Sequence, residues 1–412
     1  MRKNGIDKKL TPIDGGVCAP DGFSAGGVRC GVASQNTPFY DKNREDIALI
    51  LADKRVPTAC VFARGKTVGA PVLVTKKHIQ TGYARAVFIN SGVANVQAED
   101  GIKSAEAISR ALERLTPASA NEIVLASTGA ITGKFPTDKI LSGLENLTKV
   151  LGKTEGNSLA AARAIMTSDT AAKQLAFSFR LGDYPCKIGA IFKGGKRVCP
   201  NMATTLCFLT TDVNIEPKML QKALNAAVDD TWNMLDLDGV ASPNDTVCIM
   251  ASGGAGNYRI FTADTEYKKF ADVLKEVMAR VCQALLQMEG ERPFVCRVSG
   301  AKSLTSARTI AKYVASAGAT REMLLSKKAD SDLFLSALYA VADGKDVAGA
   351  EIALVSSSGE LLLVDEGKPV LYNESFAEQV LLGSAIEIRI RLHAGNYGAQ
   401  AYGACSSRIA RA

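Results

Sequence analysis

The sequence predicts an α/β protein with an α+β unit at its C-terminal end. Short β-branched or aromatic runs alternate with segments of helical period over most of the chain, which is the pattern of a sheet covered by helices. Beyond residue 289 two helical segments are followed by three strand-like runs, an α+β order. The composition, 47% apolar and 22% charged, supplies a sizeable core. At 412 residues the chain is long enough for two domains, and we place the boundary after residue 288, giving units 1–288 and 289–412.

The elements follow in order. IALILAD, TACVFAR and ARAVFINSG are short strands set off by glycine and charged turns. Apolar residues at helical spacing predict a helix from Ile102 to Leu115. EIVLAST reads as a strand ending at Ser127-Thr128-Gly129, and helices follow over Thr137–Leu151 and Gly156–Thr167. AFSFRLG and CKIGAIFKG form a strand pair, and TTLCFLTTDV is a further strand. Pro217 opens a helix to Asp230, a position where its missing N–H costs nothing. TVCIMASG is a strand, and Ala263 to Met288 a long helix. In the second unit FVCRVSG is a strand, SLTSARTIAKYVASAG and DLFLSALYAVADG are helices, and EIALVSS, ELLLV and AIEIRIRL are strands, with a hairpin at Ser356–Glu360. No internal repeat is visible.

Composition narrows the function. The net charge of +7 is spread along the chain, no basic run occurs and aromatics are 6%, so nucleic acid is not an expected partner. The longest apolar runs are too short for a membrane span, and the N-terminus lacks the apolar core of a secretion signal, so a cytoplasmic location is expected. Ten cysteines occur with no C-x-x-C spacing, which favours buried thiols over disulfides or zinc. The two histidines, His78 and His393, sit in no catalytic motif.

The most informative stretch is Lys193 to Asp212, KGGKRVCPNMATTLCFLTTD. Thr204 follows Ala203 at the start of an apolar strand. A threonine hydroxyl is a weak nucleophile until a base takes its proton, and an N-terminal threonine carries that base in its own α-amine. The amine titrates at about 7.7–8.0, against about 10.4 for lysine. One cut between Ala203 and Thr204 therefore creates nucleophile and base together. Thr128-Gly129 is a second candidate: a hydroxyl and two backbone N–H groups suit an oxyanion, although such dipeptides also mark ordinary turns. Thr167 is a hydroxyl at a helix end, a carboxylate ligand or a simple cap. Lys193 is a compact charge for an acidic substrate, or a solvated side chain before a glycine turn.

These residues resemble the ornithine acetyltransferase family, the bifunctional arginine-biosynthesis enzymes. The family signature K-G-S-G-M-x-x-P-N-M-A-T-M-L is matched at Lys193, Gly194, Pro200, Asn201, Met202, Ala203, Thr204 and Leu206, with Gly195, Lys196 and Arg197 in place of S-G-M. LASTGAITGKFPTDKI is similar to the family's Thr-Gly segment, IMTSDTAAK to I-M-T-T-D-T-x-P-K, and NDTV, Asn244 to Val247, to D-G-D-T-S-T-N-D-T-V. We read NDTV as a turn with side-chain bonds near the site. The C-terminal part departs more: QMEGERPFVCRV keeps Glu291 but not the G-A-T-K that follows the family's glutamate, and the chain ends YGACSSRIARA without the family's terminal Asn and Ser or Thr.

The resemblance implies a layered α/β sandwich of the ornithine acetyltransferase type, with the N-terminal unit carrying the cut. It implies that Thr204 is the nucleophile, Thr128 and Gly129 form the oxyanion hole, and Thr167, Lys193, Thr204 and Glu291 bind substrate. It further implies transfer of acetyl from N-acetylornithine to glutamate, acetyl-coenzyme A use in some members, no metal or organic cofactor, and assembly of two α with two β chains. Two alternatives stand beside it: an acyltransferase or amidohydrolase of changed substrate, because recognition residues are missing, and a silent paralogue, because Gly195, Lys196 and Arg197 alter the approach to the cut.

Overall fold

The computed structural model describes residues 10–32, 44–63, 65–96, 98–131, 134–194, 204–235, 242–287 and 291–406. Its residues divide into two compact units. The first comprises Met1–Ala226 with Ala241–Leu274, and the second Ala227–Val240 with Lys275–Ala412.

The strands and helices of the first unit are β1 (Thr11–Pro12), β2 (Phe23–Val28), β3 (Ile47–Phe62), α1 (Ala70–His78), β4 (Tyr83–Val93), α2 (Gly101–Leu115), β5 (Ile123–Ala130), α3 (Thr137–Lys149), α4 (Glu155–Ala164), β6 (Lys173–Leu181), β7 (Tyr184–Lys193), β8 (Leu206–Thr211), α5 (Pro217–Asp230), β9 (Thr246–Ala251) and α6 (Thr265–Leu286), the last residues of α5 and α6 belonging to the second unit. Nine strands hydrogen-bond in the order β1-β6-β7-β8-β9-β3-β4-β5, with β2 also on β3. β4–β5 and β8–β9 are parallel and the other pairs antiparallel.

The layering follows from alternation along β3. Ala48, Ile50 and Ala52 belong to a core shared with α4 and with Ile191, Leu206, Phe208, Cys248 and Met250 of β7–β9. Ile47 and Leu49 point the other way, into a core with Val74, Ile108, Leu112, Ile140 and Leu144 of α1–α3. The β2–β5 half and the β7–β9 half thus face one another, and helices cover the outer face of the first. This is the expected layered α/β arrangement. Strands β8 and β9 are buried along their whole length, which explains their unbroken apolar runs.

Several elements differ from the sequence expectation. IALILAD and the first five residues of TACVFAR belong to one 16-residue strand, β3, whose register with β4 shifts between Leu51 and Val56. The charged Asp53-Lys54-Arg55, a break by sequence pattern, lies inside that irregularity and the strand continues through it. The helix boundaries at α2 and α5 agree with the predicted ones to within a residue, because Pro217 and the apolar period leave little choice.

The second unit adds β10 (Glu291–Ala301), α7 (Leu304–Ser316), α8 (Gly318–Ser326), α9 (Ser331–Val341), α10 (Gly344–Ala348), β11 (Glu351–Ser356), β12 (Gly359–Asp365), β13 (Lys368–Pro369), α11 (Glu374–Leu382), β14 (Ile386–Arg391) and β15 (Tyr397–Ser406). Its six strands run β13-β12-β11-β14-β10-β15. The hairpin at Ser356–Glu360 is present, with Ser356 opposite Gly359. α8, α11 and β15 were not predicted. β15 is YGAQAYGACS, rich in glycine and alanine, and owes its strand state to pairing with β10 rather than to propensity. Among the described residues, no helix is long and apolar enough to cross a membrane.

Candidate active site

Lys193, the last residue of β7, organises the site. β7 runs antiparallel to β8, with Lys193 opposite Leu206, so Thr204 and Thr205 leave the sheet at the same end as Lys193. In the hydrogen-bonded order β5 lies five strands from β7. The facing of the two sheet halves nevertheless brings Thr128 within reach: Lys193 Nζ donates to Thr128 Oγ1 at 3.3 Å and to Thr167 Oγ1 at 2.5 Å. Thr167 follows α4. Thr128, Thr167 and Lys193, far apart in the chain, therefore meet at one ammonium.

The Lys193 side chain is 1% exposed, so the solvated alternative is excluded. A buried ammonium needs compensation, which comes from Asp169 at 3.8 Å. Asp169 also accepts from Lys173 Nζ at 2.7 Å, from the Thr167 N–H at 3.1 Å and from the Gly194 N–H at 3.1 Å. One carboxylate thus fixes the backbone on both sides of the pocket. Burial alone pushes the Asp169 carboxyl up, but Lys193 and Lys173 outweigh it and hold it below the usual carboxylate range. Burial lowers the Lys193 ammonium, partly offset by Asp169.

Thr204 is buried, and its hydroxyl lies 2.7 Å from Ser242 Oγ. Ser242 opens the turn before β9. Asp245 closes that turn, accepting from the Ser242 N–H at 3.0 Å, the Thr205 N–H at 2.7 Å and Thr205 Oγ1 at 2.8 Å. Burial raises the Asp245 carboxyl above its ordinary range against these hydrogen bonds. Asn244 Nδ2 reaches Ser127 O at 3.0 Å and Ala94 O at 2.5 Å, tying the same turn to the end of β5. The turn expected in NDTV is there, and its side-chain bonds are made.

Gly129 adopts φ +132°, a conformation that side chains disfavour, and sits opposite Gly92 in the β4–β5 ladder. A Cβ on Gly129 would lie 2.2 Å from Gly92 C. The glycine is required by the close approach of two backbones as well as by its φ. Gly129→Ala is therefore expected to displace the end of β5 and lower activity at least about tenfold, through a 1 Å-scale misplacement of Thr128; an assay of unaltered kcat would contradict this.

The remaining predicted residues are placed as follows. Ala203 lies outside the described residues, as do Gly195, Lys196 and Arg197. Glu291 is the first residue of β10 in the second unit, and its side chain is not described. His78 Nδ1 lies 2.8 Å from Ile123 O, and His393 Nε2 is 3.0 Å from Glu351 Oε1, so both serve local structure. The nine described cysteines are free thiols, and no metal-holding group of His, Cys, Asp or Glu occurs among the described residues. Sequence reasoning named none of Asp169, Ser242 and Asp245 as a site residue, although Asp245 lies in the NDTV turn that it placed near the site. Asp169 had a signal in its i,i+4 spacing to Lys173 and its place two residues after Thr167.

Comparison with known proteins decides the family. The model of the ArgJ family matches residues 25–407. The chain belongs to the ArgJ family. It is 33% identical over 396 residues to the arginine biosynthesis bifunctional protein ArgJ of Symbiobacterium thermophilum, covering 95% of each chain. It is 32% identical to the glutamate N-acetyltransferase of Methanopyrus kandleri, over 93% of this chain and 95% of that one. Among solved structures, an ArgJ protein of Bacillus halodurans is similar at 27% identity over 47% of this chain and 98% of its own, with a TM-score of 0.42. The ArgJ family is an enzyme family, and this chain carries the match through both of its compact units.

Proposed function

We propose that the chain is an autoprocessing acyltransferase that moves an acetyl group from N-acetylornithine to glutamate, in arginine biosynthesis. Relatives bearing the names arginine biosynthesis bifunctional protein and glutamate N-acetyltransferase support the acetyl-transfer reading. The observation that carries the mechanism is the buried Lys193 holding Thr128 and Thr167 beside the entry to β8, where Thr204 stands.

In the uncut chain the Thr204 hydroxyl attacks the Ala203 carbonyl, the Ala203–Thr204 C–N bond breaks, and water hydrolyses the resulting ester. The liberated Thr204 amine then serves as base for its own hydroxyl, which takes the acetyl group from N-acetylornithine and releases ornithine. Glutamate attacks the acetyl-Thr204 ester and regenerates the hydroxyl. Thr128 and Gly129 stabilise the oxyanion at each stage. Lys193 and Thr167 receive a substrate carboxylate or carbonyl, and Glu291 is a further substrate-binding candidate. The N-terminal unit, 1–288, carries the cut, and the cleaved α and β chains assemble as two of each in the cytoplasm.

The test is the intact mass of the purified protein with a transfer assay from N-acetylornithine. Two chains meeting at Ala203/Thr204, with transfer to glutamate, are expected. A single chain of full activity would refute self-cleavage. Cleavage without transfer from N-acetylornithine would point to a changed substrate, in keeping with the lost G-A-T-K and terminal residues. Thr128→Ala is expected to slow both cleavage and transfer by about 10²-fold, the scale of one oxyanion donor; equal rates in variant and unaltered protein would remove Thr128 from the hole.

A further inference from the structure

We infer that Ser242 is the proton relay for the self-cleavage step, and that it matters far less once the chain is cut. This rests on the self-cleavage proposed above. An N-terminal threonine uses its amine as base, but before the cut that nitrogen is an amide with no basic lone pair. Some other group must order the hydroxyl and carry its proton. Ser242 Oγ, at 2.7 Å, is the hydrogen-bond partner of Thr204 Oγ1 among the described residues. The nearby charged groups are engaged elsewhere: the Asp245 carboxylate with Thr205 and the Ser242 N–H, and the Lys193 ammonium with Thr128, Thr167 and Asp169. Both histidines are bonded to other groups.

The turn holds Ser242 in place for this work. One carboxylate, Asp245, binds the Ser242 N–H through Oδ2 and Thr205 through Oδ1, so the residue after the nucleophile and the relay residue share one anchor. The Asn244 N–H donates to Ser242 Oγ at 3.3 Å, occupying one lone pair and leaving the other for the Thr204 proton. A serine hydroxyl is too weak a base to keep that proton. It accepts it while giving up its own. As the Thr204 Oγ–C bond to Ala203 forms, the Thr204 proton passes to Ser242 Oγ, and the Ser242 proton passes to the Thr204 nitrogen as the C–N bond breaks. Ser242 ends as it began, and the nitrogen leaves as an amine. No other reactant is consumed until water opens the ester.

The experiment follows cleavage and transfer separately, by intact mass against time in freshly made protein and by acetyl transfer in protein incubated until cleavage is complete. Ser242→Ala is expected to slow cleavage about 100-fold, at the lower end of general acid–base effects, while slowing transfer less than about tenfold. Ser242→Thr, which keeps a hydroxyl, is expected to restore cleavage. In mixtures of light and heavy water the unaltered chain is expected to give a curved dependence of cleavage rate on deuterium fraction, from two protons in flight. Cleavage of Ser242→Ala at the unaltered rate overturns the relay. Equal slowing of cleavage and transfer, or no rescue by Ser242→Thr in a variant whose thermal midpoint is unaltered, reduces Ser242 to a structural part and also overturns it. Failure of the unaltered chain to cleave overturns the proposed function and the relay with it, so the two failures are told apart by the unaltered protein.

Discussion

Thr204→Ala is expected to leave one chain of 43.5 kDa and to lower transfer on the order of 10⁴-fold or more, the scale on which a covalent nucleophile is missed. The effect is chemical and not a matter of folding. Among the described residues the Thr204 hydroxyl makes one hydrogen bond, to Ser242, whose own Oγ keeps the Asn244 N–H. Losing that bond costs about 1 kcal/mol, which a domain of this size tolerates. The thermal midpoint should therefore stay within a few degrees of the unaltered protein while both reactions vanish. Thr204→Ser keeps the hydroxyl and the amine and should retain part of both. Transfer that survives in the alanine variant, or cleavage elsewhere in the chain, would place the nucleophile on another residue.

The second large effect is on stability. Asp169→Ala removes the counter-charge from a lysine that is 1% exposed and leaves three further donors, on Thr167, Gly194 and Lys173, without their acceptor. Breaking a buried pair from one side costs about 3–5 kcal/mol. The cost has a ceiling, because Lys193 escapes it by losing its proton. Lysine titrates in the unfolded chain at about 10.4, so deprotonation at pH 7 costs about 1.4 kcal/mol for each of some 3.4 pH units. The sign follows. With Asp169 gone, burial holds the Lys193 ammonium further below its unfolded value, so the unfolded chain binds more protons in that window and stability rises with pH. In the unaltered protein the Asp169 carboxyl is depressed, so its contribution is present at neutral pH and is lost only as pH falls below the ordinary carboxylate range. Denaturant unfolding at pH 7 and pH 9 should show the deficit of Asp169→Ala shrinking as pH rises, because the Lys193 ammonium is lowered further when its counter-charge is removed. A deficit that stays constant across that range would mean that Lys193 keeps its charge by another partner.

Much of the first unit was legible in the sequence because its local signals and its burial agree. The period of α2, the proline at the start of α5 and the β-branched runs of β5, β8 and β9 all point to what they become. The second unit was less legible. β15 has the composition of a loop and is a strand because β10 offers it an edge. α8 and α11 are nine residues each, too short for a period to stand out. In the candidate site, the hydroxyls and the lysine were recognisable from motif and chemistry. Asp169 and Ser242 were not, since a carboxylate or a serine in a polar turn looks the same in sequence whether it faces water or a buried ammonium.

By itself the sequence determined most of the strands and helices of the first unit, the threonine at the head of an apolar strand, and the family through long-range similarity of motifs. Only the tertiary structure decided that Lys193 is dry, that it joins Thr128 to Thr167, and that the Ser242 turn closes on Thr204. The reason is that hydrogen bonding along a sheet sets neighbours one strand at a time, whereas the site forms across the fold, where two halves of one sheet turn their apolar faces together. Burying those faces removes water from Lys193, and the loss of water makes the Asp169 carboxylate at 3.8 Å the main counter-charge of the pocket.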